Sequence, residues 1–213
     1  MTSQTKTNEY ILATGAPGSR WSGVVKGIYF SKDINHSDYQ EDKTFYFREE
    51  DEEEGKKPNH FATYFGAGQD YGVQREEWDK PFKDSEGIKI IKSHDFAYQL
   101  EHLTNYGYPI IIVYRPPIDC FEWWHEAGGW NIKYPNYSNY VNDDYLFLEI
   151  ENQCAEIQRF LHYNKSHITK CENPYELCDI IDISRPDDIF AMTQGQYNSV
   201  SYTHLTLPTT DRV

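Results

Sequence analysis

The stretch YPIIIVYRPP, residues 108–117, constrains the fold more than any other part of the chain. Its apolar run from Pro109 to Tyr114 is nearly continuous, so a strand formed there has both faces covered, which is the mark of a parallel sheet packed between helices. Six residues are also far too few to cross a bilayer. Two further segments suit strands of the same sheet: EYILATG, 9–15, and GIKIIKSHDF, 87–96, with Ile88, Ile90 and Ile91 as its apolar residues. Each is followed by a helical pattern. Trp21, Val24, Val25 and Ile28 recur at helical spacing after the first, and Phe96, Leu100 and Leu103 after the second. IDCFEWWHEAGG (118–129) starts helically and stops at a glycine pair, YLFLEIENQCAEIQRFLHYN (145–164) reads as a long amphipathic helix, and YELCDIIDIS (175–184) fits either a helix or a strand. Strand–helix alternation predicts an α/β domain of three layers with a mostly parallel sheet flanked by helices.

One domain is expected over 1–198. The segment VSYTHLTLPT, 200–209, resembles the conceptual translation of a transposase-type sequencing adaptor, and 199–213 is therefore set outside the domain as a non-native tail, although its pattern would also suit a short strand. Between Ser31 and about Gly87 the apolar periodicity dissolves. The acidic block REEDEEEGKK, 48–57, reads as a solvated loop, because consecutive carboxylates without turn spacing make a poor cation cage.

Charge narrows the function classes. With 34 acidic against 20 basic residues the formal net charge is −14, which disfavours nucleic acid and anionic membranes as partners. An anionic ligand must be held by a local group of cations. The four cysteines form no C-x-x-C pair, so reduced, packed thiols and no metal are expected. The N-terminus MTSQTKTNEY lacks the layout of a signal peptide, and a cytoplasmic protein is expected.

In an open α/β sheet, ligands bind where strands end and helices begin. Three such edges carry chemistry. The first, GAPGSRWS (15–22), is close to the phosphate-binding pattern G-x-x-x-x-G-K-[ST], but Arg20 stands at the second glycine, Trp21 at the lysine, and Ser22 restores the pattern. Backbone N–H groups at a helix N-terminus can still hold an anion there, with Arg20 adding a full charge; a purely structural turn is the alternative. At the second edge, KSH, Lys92 and His94 share a face if the strand continues, which would set a base beside a cation. At the third, Arg115 leaves the buried strand just before two prolines and is suited to a phosphate, or to a structural pair with Asp119. Residues 121–140 are rich in aromatics and suit either stacking on an acceptor or core packing.

Taken in order, PGSRWS (17–22), KSH (92–94) and RPPID (115–119) resemble the P-K-S-G-T-T-W loop, the K-T-H strand end and the R-x-P-x-D segment of the sulfotransferases that use 3′-phosphoadenosine-5′-phosphosulfate (PAPS). The resemblance spans roughly residues 9 to 125. It implies the P-loop sulfotransferase fold, PAPS as cofactor without a metal, and transfer of a sulfuryl group to a hydroxyl on a small molecule or glycan. It further implies His94 as general base, with Lys92 and Arg20 acting on the transferring group. Pro17, Gly18, Ser19, Arg20, Trp21 and Ser22 would bind the 5′-phosphosulfate, and Arg115 the 3′-phosphate. Three departures stand out: Gly18 occupies the place of the family's loop lysine, Trp123 that of a serine on the 3′-phosphate, and no glycine-rich basic segment follows. A catalytically impaired nucleotide- or anion-binding module of the same fold, and a P-loop small-molecule kinase, are the alternatives.

Overall fold

The computed structural model describes residues 9–38, 74–126, 129–131, 138–171, 174–186 and 203–206. The acidic block 48–57 lies outside the described residues, as do 132–137 of the aromatic-rich stretch. The architecture is mixed α/β. Strands β1 (Tyr10–Gly15), β2 (Lys89–Lys92) and β3 (Ile110–Val113) are parallel with β1 in the centre, in a sheet ordered β2-β1-β3-β5-β4. Leu12 lies opposite both Ile91 and Ile110 in the register.

The near-continuous apolar sequence of these strands follows from the two layers that cover them. Ile11 and Ala13 point to one face and pack with Trp21, Val24, Val25 and Ile28 of α1 (Trp21–Tyr29) and with Leu177, Cys178 and Ile181 of α5 (Pro174–Ile181). Tyr10 and Leu12 point to the other, against Leu100 and Leu103 of α2 (Leu100–Thr104) and Ile157 and Phe160 of α4 (Asp143–Tyr163). The helix expected over 96–107 is divided: Asp95–Gln99 form a 3-10 turn before α2. Ser93 Oγ accepts the Asp95 N–H at 3.1 Å, which turns the chain sharply out of β2. Helix α4 begins at Asn142, whose side chain accepts the Tyr145 N–H, and Asp143 and Asp144 sit favourably in its first turn.

The expectation of a mostly parallel sheet holds for β1, β2 and β3 and not for the far side. Strand β5 (Thr203–Thr206) runs antiparallel to both β3 and β4 (Ile168–Cys171). It falls in the segment 199–213 that was set outside the domain. Ladder bonds come from the backbone, which nearly any sequence can supply, so this pairing speaks to strand geometry and not to the segment's origin. Among the described residues no helix is long and apolar enough to cross a membrane.

A third cluster, Ala16, Cys120, Trp124, Tyr140, Leu146, Ile150 and Cys154, packs α3 (Pro117–Glu126) against α4 just past the strand ends. At the opposite end, Trp78 is fully buried, edge-on to Tyr10 at 5.5 Å and Tyr106 at 5.1 Å. Asp79 beside it bonds Lys89 Nζ and Tyr10 Oη, each at 2.6 Å. Burial pulls its carboxyl upward, but those two donors and Arg75 outweigh that and hold it at about 2. Replacing Trp78→Ala empties this aromatic cluster and is expected to cost about 3–5 kcal/mol in urea unfolding. A loss below about 1 kcal/mol would mean that the 74–82 segment does not close this end of the core.

Candidate functional site

The loop between β1 and α1 makes two tight approaches that only glycine permits. Gly18 has a positive φ of 76°, and a Cβ there would lie 1.8 Å from the Cys120 carbonyl oxygen on α3. A Cβ at Gly15 would meet Ser19 Oγ at 2.6 Å and the Val113 carbonyl at 2.9 Å. A lysine, such as the loop that PGSRWS resembles carries, therefore has no room at position 18: both the backbone conformation and the α3 backbone exclude it. The Ser19 N–H closes a turn on the Ala16 carbonyl at 3.0 Å, and Arg20 enters α1 in the left-handed conformation, φ 62°. The N–H groups of Gly23 and Val24 bond the Arg20 carbonyl at 3.0 and 3.3 Å, which leaves those of Trp21 and Ser22 at the start of α1 without an intrahelical acceptor.

The structure brings His94 and Arg115 to this same loop. Arg115 is 3 % exposed and donates from Nε to the Ser19 carbonyl at 3.0 Å. Among the described residues its Nη2 and the hydroxyl of Ser19, itself fully buried, have no hydrogen-bond partner. Two orphaned polar groups at one turn are costly, and an oxyanion is the acceptor that the guanidinium calls for. Burial chiefly, and the like charge of Arg20 in part, lower the Arg115 guanidinium to about 10.

His94 approaches from the β2 side. Its Nδ1 lies 2.6 Å from the Gly15 carbonyl and 3.2 Å from Trp21 Nε1. One ring nitrogen cannot serve both. At 2.6 Å from a carbonyl, Nδ1 must carry the proton and donate, so the Trp21 contact is an edge-on packing contact with ring centroids 5.0 Å apart, and Nε2 is the basic nitrogen. Burial lowers the imidazole from 6.5 to about 4, with the Gly15 carbonyl and the Glu149 carboxylate pulling partly back. It is neutral near pH 7 and able to accept a proton, although as a weaker base than an imidazole titrating near 7.

Other expected residues are placed differently. Strand β2 ends at Lys92 and His94 is already helical (φ −63°, ψ −38°), so the strand does not continue and the same-face argument for Lys92 and His94 fails. Lys92 lies opposite Ala13 in the register, is buried, and lowers the carboxyl of Asp38, which burial pushes up and Tyr29 Oη bonds at 2.6 Å. Trp21 is packed in the α1 core and acts on the site through the His94 ring, not as a ligand-facing group. Ser22 sits in the first turn of α1, with its side chain outside the described residues; Pro17 shapes the turn before Gly18. Arg20 and Arg115 stack on Trp123, their Cζ atoms 3.5 and 3.7 Å from the indole centroid. Two carbons that close on one face would overlap, so the guanidiniums occupy opposite faces. Arg20 also reaches Glu126 at 3.5 Å.

A buried polar group next to His94 was missed. The Glu149 carboxylate accepts from Tyr98 Oη at 2.7 Å, Gln153 Nε2 at 2.8 Å and Asn139 Nδ2 at 2.7 Å. The signal was present: Glu149 and Gln153, four apart, interrupt the apolar stripe Leu146, Ile150, Ile157 of α4. Burial and the charge of Glu149 both raise the neighbouring Asp95 carboxyl. The four cysteines are free and buried, and among the described residues no His, Cys, Asp and Glu group could hold a metal.

No family model matches the chain, and searches of curated proteins and of solved structures give no match either.

The depressed His94 imidazole carries a pH signature. Between pH 6.5 and about 4 the unfolded chain binds the proton that the folded site refuses, so this contribution is fully present above pH 6.5 and is lost as pH falls toward 4. His94→Gln is expected to flatten the fall of unfolding free energy across that window by on the order of 2–3 kcal/mol. Identical slopes in the two proteins would show that the imidazole is not held neutral by the fold.

Proposed function

We propose that the chain is a divergent PAPS-dependent sulfotransferase of the P-loop type, binding the nucleotide on the β1–α1 loop and serving a hydroxyl acceptor on a small molecule or glycan. The observation that carries this reading is the meeting of the loop, His94 and Arg115, remote in sequence, around two orphaned buried polar groups. The donor set fits a phosphorylated nucleotide: the Trp21 and Ser22 N–H groups at the start of α1, a guanidinium with unused capacity, and, among the described residues, no carboxylate bonded to that guanidinium. PAPS, when bound, supplies the activated sulfuryl group and a stable bisphosphate leaving group.

This chain's own residues then divide the remaining work. His94 Nε2 takes the proton from the acceptor hydroxyl, its ring fixed by the Nδ1–H bond to Gly15 and by the edge of Trp21. The hydrogen-bonded Glu149 carboxylate stabilises the imidazolium that forms. Arg115 and the first turn of α1 hold phosphate oxygens, and Arg20 adds charge from across Trp123. The exclusion of any side chain at position 18 favours a second reading, a nucleotide-binding module of the same fold without transfer activity.

Calorimetry separates these. Adenosine 3′,5′-bisphosphate (PAP) is expected to bind at least about tenfold tighter than ADP, and Arg115→Ala to weaken PAP by about tenfold or more. His94→Ala is expected to abolish sulfate transfer while PAP affinity stays within about threefold. PAP binding without transfer across an acceptor panel selects the binding module; equal binding, or none, to PAP and ADP contradicts both.

A further inference from the structure

We propose that Trp123 sets the site's preference for a doubly anionic ligand, by holding the Arg20 and Arg115 guanidiniums on opposite faces of its indole. This rests on the reading of the β1–α1 loop as a phosphate site and adds to it a determinant of specificity.

The geometry begins with two like charges that have reason to separate. Each guanidinium instead sits over the electron-rich ring of the same indole, its Cζ 3.5 or 3.7 Å from the centroid. The indole thus acts as a spacer that attracts both cations and keeps them a fixed distance apart. Arg115 spends Nε on the Ser19 carbonyl and leaves Nη2 without a partner in a buried setting. Arg20 is more open, its side chain 34 % exposed and paired with the mostly exposed carboxylate of Glu126. An exposed ion pair of this kind is weak and readily exchanged.

The backbone of Arg20 adds an independent sign. A non-glycine residue at φ 62° is strained, and such strain persists only where the surroundings hold it. Here the left-handed turn is what aims the Arg20 side chain at α3 and onto Trp123. A hydroxyl-bearing residue at position 123 would offer one hydrogen bond to one phosphate. The indole offers none; it organises two cations, so the pair rewards a ligand bearing two separated anionic groups over one bearing a single group.

The test measures PAP and AMP, which differ by one phosphate, on the full chain by calorimetry. The wild-type protein is expected to prefer PAP by at least about tenfold. Trp123→Leu, which keeps apolar bulk but removes the π faces, is expected to bring that ratio to within about threefold of unity, while Trp123→Phe, which keeps a flat ring, retains most of it. A W123L protein with the wild-type ratio overturns the proposal, as does a W123F protein that loses as much as W123L. Should W123L fail to fold, Arg20→Gln gives the same reading at a more exposed side chain: an unchanged PAP/AMP ratio overturns the proposal. A wild-type protein that binds neither nucleotide removes the phosphate site itself, whereas tight PAP binding with an unaltered ratio in the variants removes only the role of Trp123.

Discussion

The closeness of the β1–α1 loop to helix α3 governs everything at this site. Position 18 can approach the Cys120 carbonyl only because it carries no side chain and tolerates a positive φ. That contact presses the loop onto the helix that begins at Pro117, two residues after Arg115. The Ser19 carbonyl then falls within reach of Arg115, and Arg20 turns toward Trp123 on the same helix. A lysine at position 18 would force loop and helix apart and dismantle both arginine contacts. The side-chain-free position 18 and the Arg–Trp–Arg stack are therefore one structural choice, in which positive charge reaches the loop from Arg115, just before the flanking helix, and from Arg20.

On the other side of the loop the choice is about proton chemistry. The short bond from His94 Nδ1 to Gly15 fixes the tautomer, and near-complete burial makes the imidazole a weak base. Glu149 offsets part of that. It is a buried carboxylate held by three neutral donors, Tyr98, Gln153 and Asn139. Lys92 is buried on the α1 side of the sheet, where its charge lowers the Asp38 carboxyl that Tyr29 Oη bonds.

Much of this scaffold could be read from residue order alone, for identifiable reasons. Strand β3 has both faces buried, so its apolar run is unbroken; α1 and α4 each bury one stripe, so Trp21, Val24, Val25 and Ile28, or Leu146, Ile150, Ile157 and Phe160, recur at helical spacing. The features that escaped depend on geometry that leaves no periodic trace. The turn at Ser93 is a single side-chain bond that diverts the strand before His94. Strand β4 shows no alternation, with Thr169 and Lys170 both exposed, and is too short and polar to announce itself, and β5 pairs through its backbone. The convergence of loop, imidazole and guanidinium was anticipated, but the partners of Lys92 and Trp21 were not, because partner choice depends on which face each residue meets across the sheet.

The most direct measurement is a crystal structure of the protein with PAP bound. Density for a phosphate group within hydrogen-bonding reach of Arg115 Nη2 and the first-turn N–H groups of α1, with the nucleotide's other phosphate on the Arg20 side of Trp123, is the predicted result. A nucleotide seated elsewhere, or an Arg115 guanidinium already satisfied by a carboxylate of the chain, would contradict it.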